Sequence, residues 1–407
     1  MQTERITQLK QFYHDTLLND IVPFWINSDL IDREYGGFIS SVDREGKQYN
    51  TDKSVWFQGR ALWTFSKLCN TYGAKPEWLE AAKAGAQFIR EHCVDETDGR
   101  MYFVVTRQGE PLRKRRYFFS ESFLVVGFAE YYLLSRDLQD LELARKYLGL
   151  MFDIYLDGAN DPFKITPKEN AQVRSLHSNA NPMVLVSSAQ TMLRIDPEKA
   201  EDYNTIIDRV IDDMLTLHYK PEHQCMLENV YLNGDILDNP TGRTINPGHC
   251  IENAWFLMNR ANQTGDSALL EKALNILRWS LELGWDQEHG GVYYFRDLYG
   301  RPCEQLEHDM KLWWVHNECL IAVLMALHLT GDSYYEQWYD RLHDYIFSHF
   351  PDETYGEWYG YLRRDGTVSH TQKGSLWKGP YHLPRCMMLC EMILSAMETG
   401  TKAPALL

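Results

Sequence analysis

Apolar residues recur at positions i, i+3 and i+4 in twelve stretches of the chain, roughly 4–20, 55–72, 77–92, 120–135, 138–154, 178–194, 198–217, 248–264, 267–283, 313–330, 333–349 and 381–398. That spacing predicts helices with a buried face. Between them lie short segments in which β-branched or aromatic residues alternate between turn formers, the pattern of a hairpin. The clearest are Tyr35-Gly-Gly-Phe38 with Glu45-Gly46, Asp98-Gly-Arg-Met-Tyr102 with Gln108-Gly109, Gly290-Gly-Val-Tyr-Tyr294 with Tyr299-Gly300, and Tyr355-Gly-Glu-Trp-Tyr359 with Asp365-Gly366. A weaker copy is His223 to Glu228 with Asn233-Gly234, and a degenerate sixth lies near Asp157-Gly158. The step is roughly 62 to 66 residues.

Two helices per step and six steps predict an all-α fold, a closed (α/α)6 barrel with hairpins in its connecting loops. The even-numbered helices are apolar nearly all round, as in Ser122 to Ala129, Ile251 to Met258 and Cys319 to Ala326. A helix apolar on every side must be buried, so these form the inner ring. The odd-numbered helices are amphipathic, as in Asp202 to Met214, and form the outer ring. Gly127, inside the fourth helix, is a local cost. No linker interrupts the 407 residues, and one catalytic domain over 1–407 is expected.

Polar clusters fall where inner helices begin. The second helix carries Trp56-Phe-Gln-Gly-Arg60, the fourth Ser120 and Glu121, and the sixth follows His177. The eighth opens Asn246-Pro-Gly-His249 with Glu252 one turn on, and the tenth holds Trp313, Trp314, His316 and Glu318. The twelfth follows Trp377 and carries His382. A closed ring gathers these at one mouth. Helix N-termini present free N–H groups and partial positive charge. Paired imidazoles exchange protons near neutral pH. Proton abstraction beside a carbonyl follows as the expected chemistry, with Arg60 holding the enediolate and no carrier cofactor or metal needed. His249 and His382 are the expected acid/base pair. Arg60, Trp313 and Trp377 are expected to bind substrate, and Glu252 and Glu318 to orient a histidine or bind hydroxyls. His177 and His316 fit binding and packing equally well. Glu121 is expected to cap its helix, Lys378 has no evident activating partner, and the other histidines, His218 and His370 among them, are read as structural.

Composition narrows the class. Twelve Trp and 24 Tyr suit a sugar-binding cleft, where rings give apolar platforms with polar tips, although most should be core. The formal charge of −16 argues for solubility, and the one basic cluster, Arg113 to Arg116, reads as a solvated loop and not a nucleic-acid surface. Eight scattered Cys offer no zinc ligand set and suit reduced thiols in the cytoplasm. The polar N-terminus lacks a signal-peptide core, and no apolar run reaches transmembrane length. A homodimer is the default assembly.

The chain resembles the N-acylglucosamine 2-epimerase family and, more distantly, cellobiose 2-epimerases and aldose–ketose isomerases. The matching stretches are Trp56 to Arg60, Phe119 to Phe123, Leu227-Glu-Asn-Val230, Asn246 to His249 with Glu252, Trp285-Asp with His289 to Gly291, Met310 to Trp314 with His316 and Glu318, Tyr355 to Leu362, and Lys378-Gly with His382 to Cys386. The resemblance implies an (α/α)6 barrel and reversible inversion at C2 of a reducing sugar, N-acetylglucosamine to N-acetylmannosamine. It implies His249 and His382 as the acid/base pair, Arg60 as a substrate ligand and Glu252 and Glu318 as acidic partners. ATP is implied as an effector only, and no Gly-x-x-x-x-Gly-Lys-Ser/Thr loop is present. His177 departs from the N-acylglucosamine pattern and is closer to the isomerase and cellobiose branches. Aldose–ketose isomerisation, mannose or cellobiose epimerisation, glycoside hydrolysis and a purely interacting role are the alternatives.

Overall fold

The computed structural model describes residues 1–114, 117–162, 170 and 172–407. Among these stand twelve long helices: α1 (Thr3–Thr16), α2 (Val55–Tyr72), α3 (Pro76–His92), α4 (Phe119–Ser135), α5 (Leu138–Leu156), α6 (Ala180–Ile195), α7 (Ala200–Asp213), α8 (Pro247–Thr264), α9 (Ser267–Gly284), α10 (Trp313–Thr330), α11 (Ser333–His349) and α12 (His382–Thr399). They follow the apolar periodicity stretch for stretch. The first differs most, because the chain beyond α1 widens into a π-type turn (Leu17–Ile21) and runs on helically to Asn27.

The even-numbered helices form the inner ring of an (α/α)6 barrel. Every residue of α10 from Trp313 to Leu327 is buried. In outer α7 only Tyr203, Ile206, Ile207, Val210 and Ile211 are buried, which is one helical stripe. Where α2 meets α4 the backbones nearly touch. A Cβ on Gly59 would lie 2.5 Å from the Phe123 carbonyl oxygen, and one on Gly127 would lie 2.8 Å from that of Gly59. The expected cost of Gly127 is therefore offset by a close approach that no other residue permits.

The hairpins are not isolated. The strand that leads into an inner helix pairs with the hairpin of the following repeat. Lys53–Ser54 pairs with Val104–Val105, which pairs with Pro111–Arg113. Lys311–Leu312, Tyr361–Leu362 and Val368–His370 repeat this arrangement. Leu176–Ser178 pairs with Asn229–Tyr231, and Thr244–Ile245 with Arg296–Asp297. The last repeat returns to the first, since the N–H groups of Lys373 and Gly374 donate to the Val42 carbonyl at 3.1 and 3.0 Å. At the same seam Thr64 donates to the Pro380 carbonyl, and Trp63 packs on Tyr381. At the expected degenerate hairpin near Asp157-Gly158 the described part is a 3-10 turn, Gly158–Asn160, and in the basic cluster Arg113 lies in a strand while Lys114 bonds Asp95 and Asp98 at 2.6 Å. The rest of both expectations, residues 163–169 with Arg115 and Arg116, falls outside the described residues.

Three of the junctions carry a buried ionic staple. Asp32 bonds Lys53 at 3.0 Å and Arg107 at 2.9 Å. Asp286 bonds Lys311 at 3.0 Å and Arg364 at 3.1 Å. Asp352 bonds Lys373 at 3.0 Å and, across the seam, Arg44 at 2.8 Å. In each set the Asp opens a turn by accepting an N–H two residues on, the Lys precedes an inner helix, and the Arg belongs to the next repeat's hairpin. No helix among the described residues is long and apolar enough to cross a membrane.

Removing one partner of a buried pair leaves an uncompensated charge. Asp286→Ala is therefore expected to cost about 3–5 kcal/mol of unfolding free energy, read by urea denaturation. Burial would raise the Asp286 carboxyl, but its bonds to Arg364 and Lys311 hold it well below the usual carboxylate range. A depressed folded value means the stability is complete above the unfolded value near about 4 and is lost as pH falls below it. The variant should accordingly lose less stability on acidification than the parent protein.

Candidate functional site

The N-terminal ends of the inner helices surround a cavity of about 540 Å³. Its wall divides by chemistry. The α8, α10 and α12 side carries His249, Glu252, Trp313, Trp314, Tyr381, His382 and Arg385, whereas the α4 and α6 side carries Phe119, Phe123, Val126, Met183 and Val184 with the hydroxyls of Ser122, Ser187 and Ser188. Trp56, Arg60 and Trp377 close the rim near the seam, and Tyr294, Glu307, Tyr361 and His370 come from the connecting segments.

His249 sits at the start of α8. Asn246 caps that helix by accepting from the His249 N–H at 3.1 Å. The His249 Nδ1 bonds Glu228 Oε2 at 3.0 Å. His382 opens α12, and its Nδ1 bonds Glu318 Oε1 at 2.8 Å. In both cases Nδ1–H donates to a carboxylate, which leaves Nε2 for exchange with a bound molecule. The Trp314 indole touches both imidazoles, with ring centroids 5.4 Å from His249 and 5.8 Å from His382.

Beneath them Arg385 joins two carboxylates. Its Nη2 donates to Glu252 at 2.8 Å and to Glu318 at 2.6 Å. The other oxygen of Glu318 accepts from Trp255 Nε1 at 2.8 Å. The Glu252, Glu318 and His382 side chains converge closely enough to suggest a cation site. The guanidinium of Arg385 already fills that role.

The two imidazoles have opposite proton affinities. Burial pushes His249 down, but the charge and hydrogen bond of Glu228, with a contribution from Glu252, raise it above its ordinary value. Burial, then the cations Arg385 and Arg60, hold His382 well below its ordinary value. Burial lowers Arg60 to about 10, which still leaves it charged at neutral pH. Its guanidinium stacks 4.1 Å over the Phe123 ring and donates to the Trp377 carbonyl at 3.0 Å, while its Nε is buried with no hydrogen-bond partner among the described residues.

The structure thus brings Arg60, His249, Glu252, Trp313, Trp377 and His382 to one cavity, with Glu318 directly behind His382. Six expectations are changed or decided by the structure. Glu252 does not orient His249; it pairs with Arg385, and Glu228 takes the histidine. His316 lies behind the wall, where its Nδ1 meets the Leu312 carbonyl at 2.7 Å and its Nε2 accepts from the Val292 N–H at 3.0 Å. With both nitrogens occupied, and burial lowering its pKa to about 3, it is a packed neutral ring. His177 is not part of the wall either, and its Nδ1 bonds His218 Nε2 at 2.8 Å. Conversely His370, read as structural, lines the cavity. Lys378 does have a partner, the buried carboxylate of Glu357. Glu121 bonds Arg100 at 2.6 Å and accepts the Met101 N–H, so it braces a turn instead of capping its helix. The residues missed are Glu228 and Arg385. Arg385 follows His382 by three positions on one helix face, a readable signal. Glu228 comes from a strand segment whose pairing no periodicity announces.

Residues 37–386 match the N-acylglucosamine 2-epimerase (GlcNAc 2-epimerase) family. The chain is 36% identical to N-acylglucosamine 2-epimerase of Bos taurus over 382 residues, covering 93% of this chain and 89% of that protein. It is 25% identical to cellobiose 2-epimerase of Dictyoglomus turgidum over 397 residues, covering 95% and 99%. Among solved structures, cellobiose 2-epimerase from Spirochaeta thermophila superposes with a TM-score of 0.82 at 21% identity, covering 97% of this chain and 98% of that one, a likeness that bears on the fold.

The guanidinium of Arg385 is the pivot of the charged side. Arg385→Leu should strand two buried carboxylates and cost about 3–5 kcal/mol in thermal or urea unfolding. It should also raise the His382 pKa, because a cation that repels the imidazolium is gone. Titration of labelled histidine by NMR reads that direction.

Proposed function

The chain belongs to the N-acylglucosamine 2-epimerase family and is an isomerase that inverts C2 of a sugar, and on that footing we propose that His249 and His382 interconvert N-acetylglucosamine and N-acetylmannosamine. One observation supports this reading above the rest. Two imidazoles, each backed by its own carboxylate at Nδ1, share one cavity, and among the described residues neither Nε2 is hydrogen-bonded.

In the open-chain sugar the C2 proton lies next to the C1 aldehyde. A neutral imidazole takes that proton, and the C–H electron pair becomes the C1–C2 double bond. The carbonyl electrons move to O1, where Arg60 stabilises the anion of the enediolate-type intermediate. The opposite imidazolium then protonates C2 from the other face, and the C1 aldehyde re-forms. No electron leaves the substrate, so no carrier cofactor is required. ATP, where it binds, serves as an effector. The span 1–407 acts as one catalytic domain in this scheme. Trp313 and Trp377 offer apolar faces to the sugar, and Glu252 is placed to meet a hydroxyl. His177 acts from outside the cavity and His316 as packing behind it. Glu252 and Glu318 share one guanidinium, which argues against a hydrolase that uses them as an acid and a nucleophile.

Each candidate sugar, incubated with the protein in D2O, tests the reading by product NMR. Deuterium at C2 of the inverted N-acetyl aldose is the expected result. A ketose product replaces the epimerase reading with aldose–ketose isomerisation. His249→Ala and His382→Ala should each lose at least about 100-fold in turnover. A folded variant that keeps near-full activity removes its histidine from the mechanism.

A further inference from the structure

The two histidines look alike in sequence, but their carboxylates do not sit in equivalent charge environments. Glu318, behind His382, is already neutralised by Arg385 at 2.6 Å and accepts from Trp255 as well. Glu228, behind His249, has no such cation. Among the described residues its ion pair is with His249 alone. Its backbone is held on both sides, with its N–H donating to the Thr244 carbonyl at 3.0 Å and its carbonyl accepting from the Asn179 N–H at 2.9 Å. The titratable neighbour on its far side, His218, is tied at both ring nitrogens, Nδ1 to the Leu227 carbonyl at 2.9 Å and Nε2 to His177 at 2.8 Å. Burial lowers the His218 pKa to about 4, so the ring is neutral; with Nδ1 donating to that carbonyl, Nε2 accepts from His177.

We infer that Glu228 is the positioning residue that fixes the His249 tautomer and keeps the resting proton of the pair on His249, leaving His382 as the standing base. The inference rests on the two-histidine reading given above. The groups that face His249 are consistent with it. Glu228 approaches from the strand segment, Glu252 from its own helix, and His382 from α12. Tyr294 and Glu307 come from the segment after α9, and neutral Trp314 packs on the ring. The charge of Arg385 is spent on Glu252 and Glu318.

Glu228 acts through another residue, so its test needs a readout that structure alone would not move. The base limb of the kcat/KM profile reports loss of the proton that His249 holds. Removing the carboxylate lowers the affinity for that proton. Glu228→Gln is therefore expected to move the base limb to lower pH by about one to three units, with the acid limb in place. Turnover should fall by about 100-fold. Glu228→Asp keeps the charge and should restore the limb toward its original position. NMR titration of labelled His249 should show the same ordering without any substrate. A folded Glu228→Gln protein with an unmoved base limb and unmoved His249 midpoint overturns the inference, as does an equal shift in the Gln and Asp variants. If the parent protein inverts no sugar, the proposed function fails while the His249 titration still decides the role of Glu228.

Discussion

The barrel depends on a constraint that a helical repeat does not satisfy by itself: the sixth repeat must meet the first. Hydrophobic burial drives helices together but sets no angle between successive pairs. The angle is set by directional contacts at the rim. Buried carboxylates of Asp32, Asp286 and Asp352 each bind a lysine that precedes an inner helix and an arginine from the neighbouring hairpin. Desolvating such charges is expensive, and the gain over an apolar contact is small or negative. What the staple supplies is direction. It fixes where the next repeat begins, and at Asp352 and Arg44 it fixes where the ring ends.

That placement of charge carries over to the site. The staples consume rim cations in structural work, which leaves Arg60 and Arg385 as the guanidinium groups in the cavity wall. Arg385 is committed to two carboxylates, whereas Arg60 keeps a buried donor unpaired. An enzyme that forms and discharges an oxyanion in one cavity needs this separation. A donor spent on the protein cannot follow the charge that develops on the substrate. The opposed proton affinities of His249 and His382 follow from the same bookkeeping, since one carboxylate is neutralised and the other is not.

Much of this was legible in the chain. The 3.6-residue period located all twelve helices because burial on one face, or on every face, writes itself into local sequence. The inner–outer division followed from α10 and α7 in the same way. His249, His382, Arg60 and Trp313 could be placed together because each stands near the start of an inner helix. Contacts between segments distant in sequence were not legible. Glu228 reaches His249 from the bend just before the strand Asn229–Tyr231, which pairs with Leu176–Ser178 in a register no local pattern specifies. Spacing on one helix makes His249 the readable neighbour of Glu252, whereas Arg385, 133 residues away, is the contact that formed. The staples did leave a trace. The Asp stands four residues before the first glycine of its turn, and the Arg two residues before the second, as in Asp32 with Gly36 and Arg107 with Gly109.

The places where the repeat is broken point toward the chemistry. Gly37 and Gly291 occupy equivalent turn positions at φ +65° and +72°, and the sixth repeat puts Glu357 there at +58°. A side chain in that region costs about 1–2 kcal/mol. Glycine at this position would avoid the cost, so the glutamate must provide something the turn alone does not need. Its carboxylate bonds the Trp358 N–H at 2.7 Å and the buried ammonium of Lys378. Lys378 in turn donates to the Lys373 carbonyl at 3.1 Å, on the segment that closes the ring. The lysine stands next to Trp377 and four residues before His382. The strained turn therefore anchors the loop that carries Trp377 and leads directly into His382, one of the two histidines proposed to move the C2 proton. Where the first and fifth repeats place Gly37 and Gly291, the sixth must also hold a loop still, and the departure from glycine is how this sequence does it.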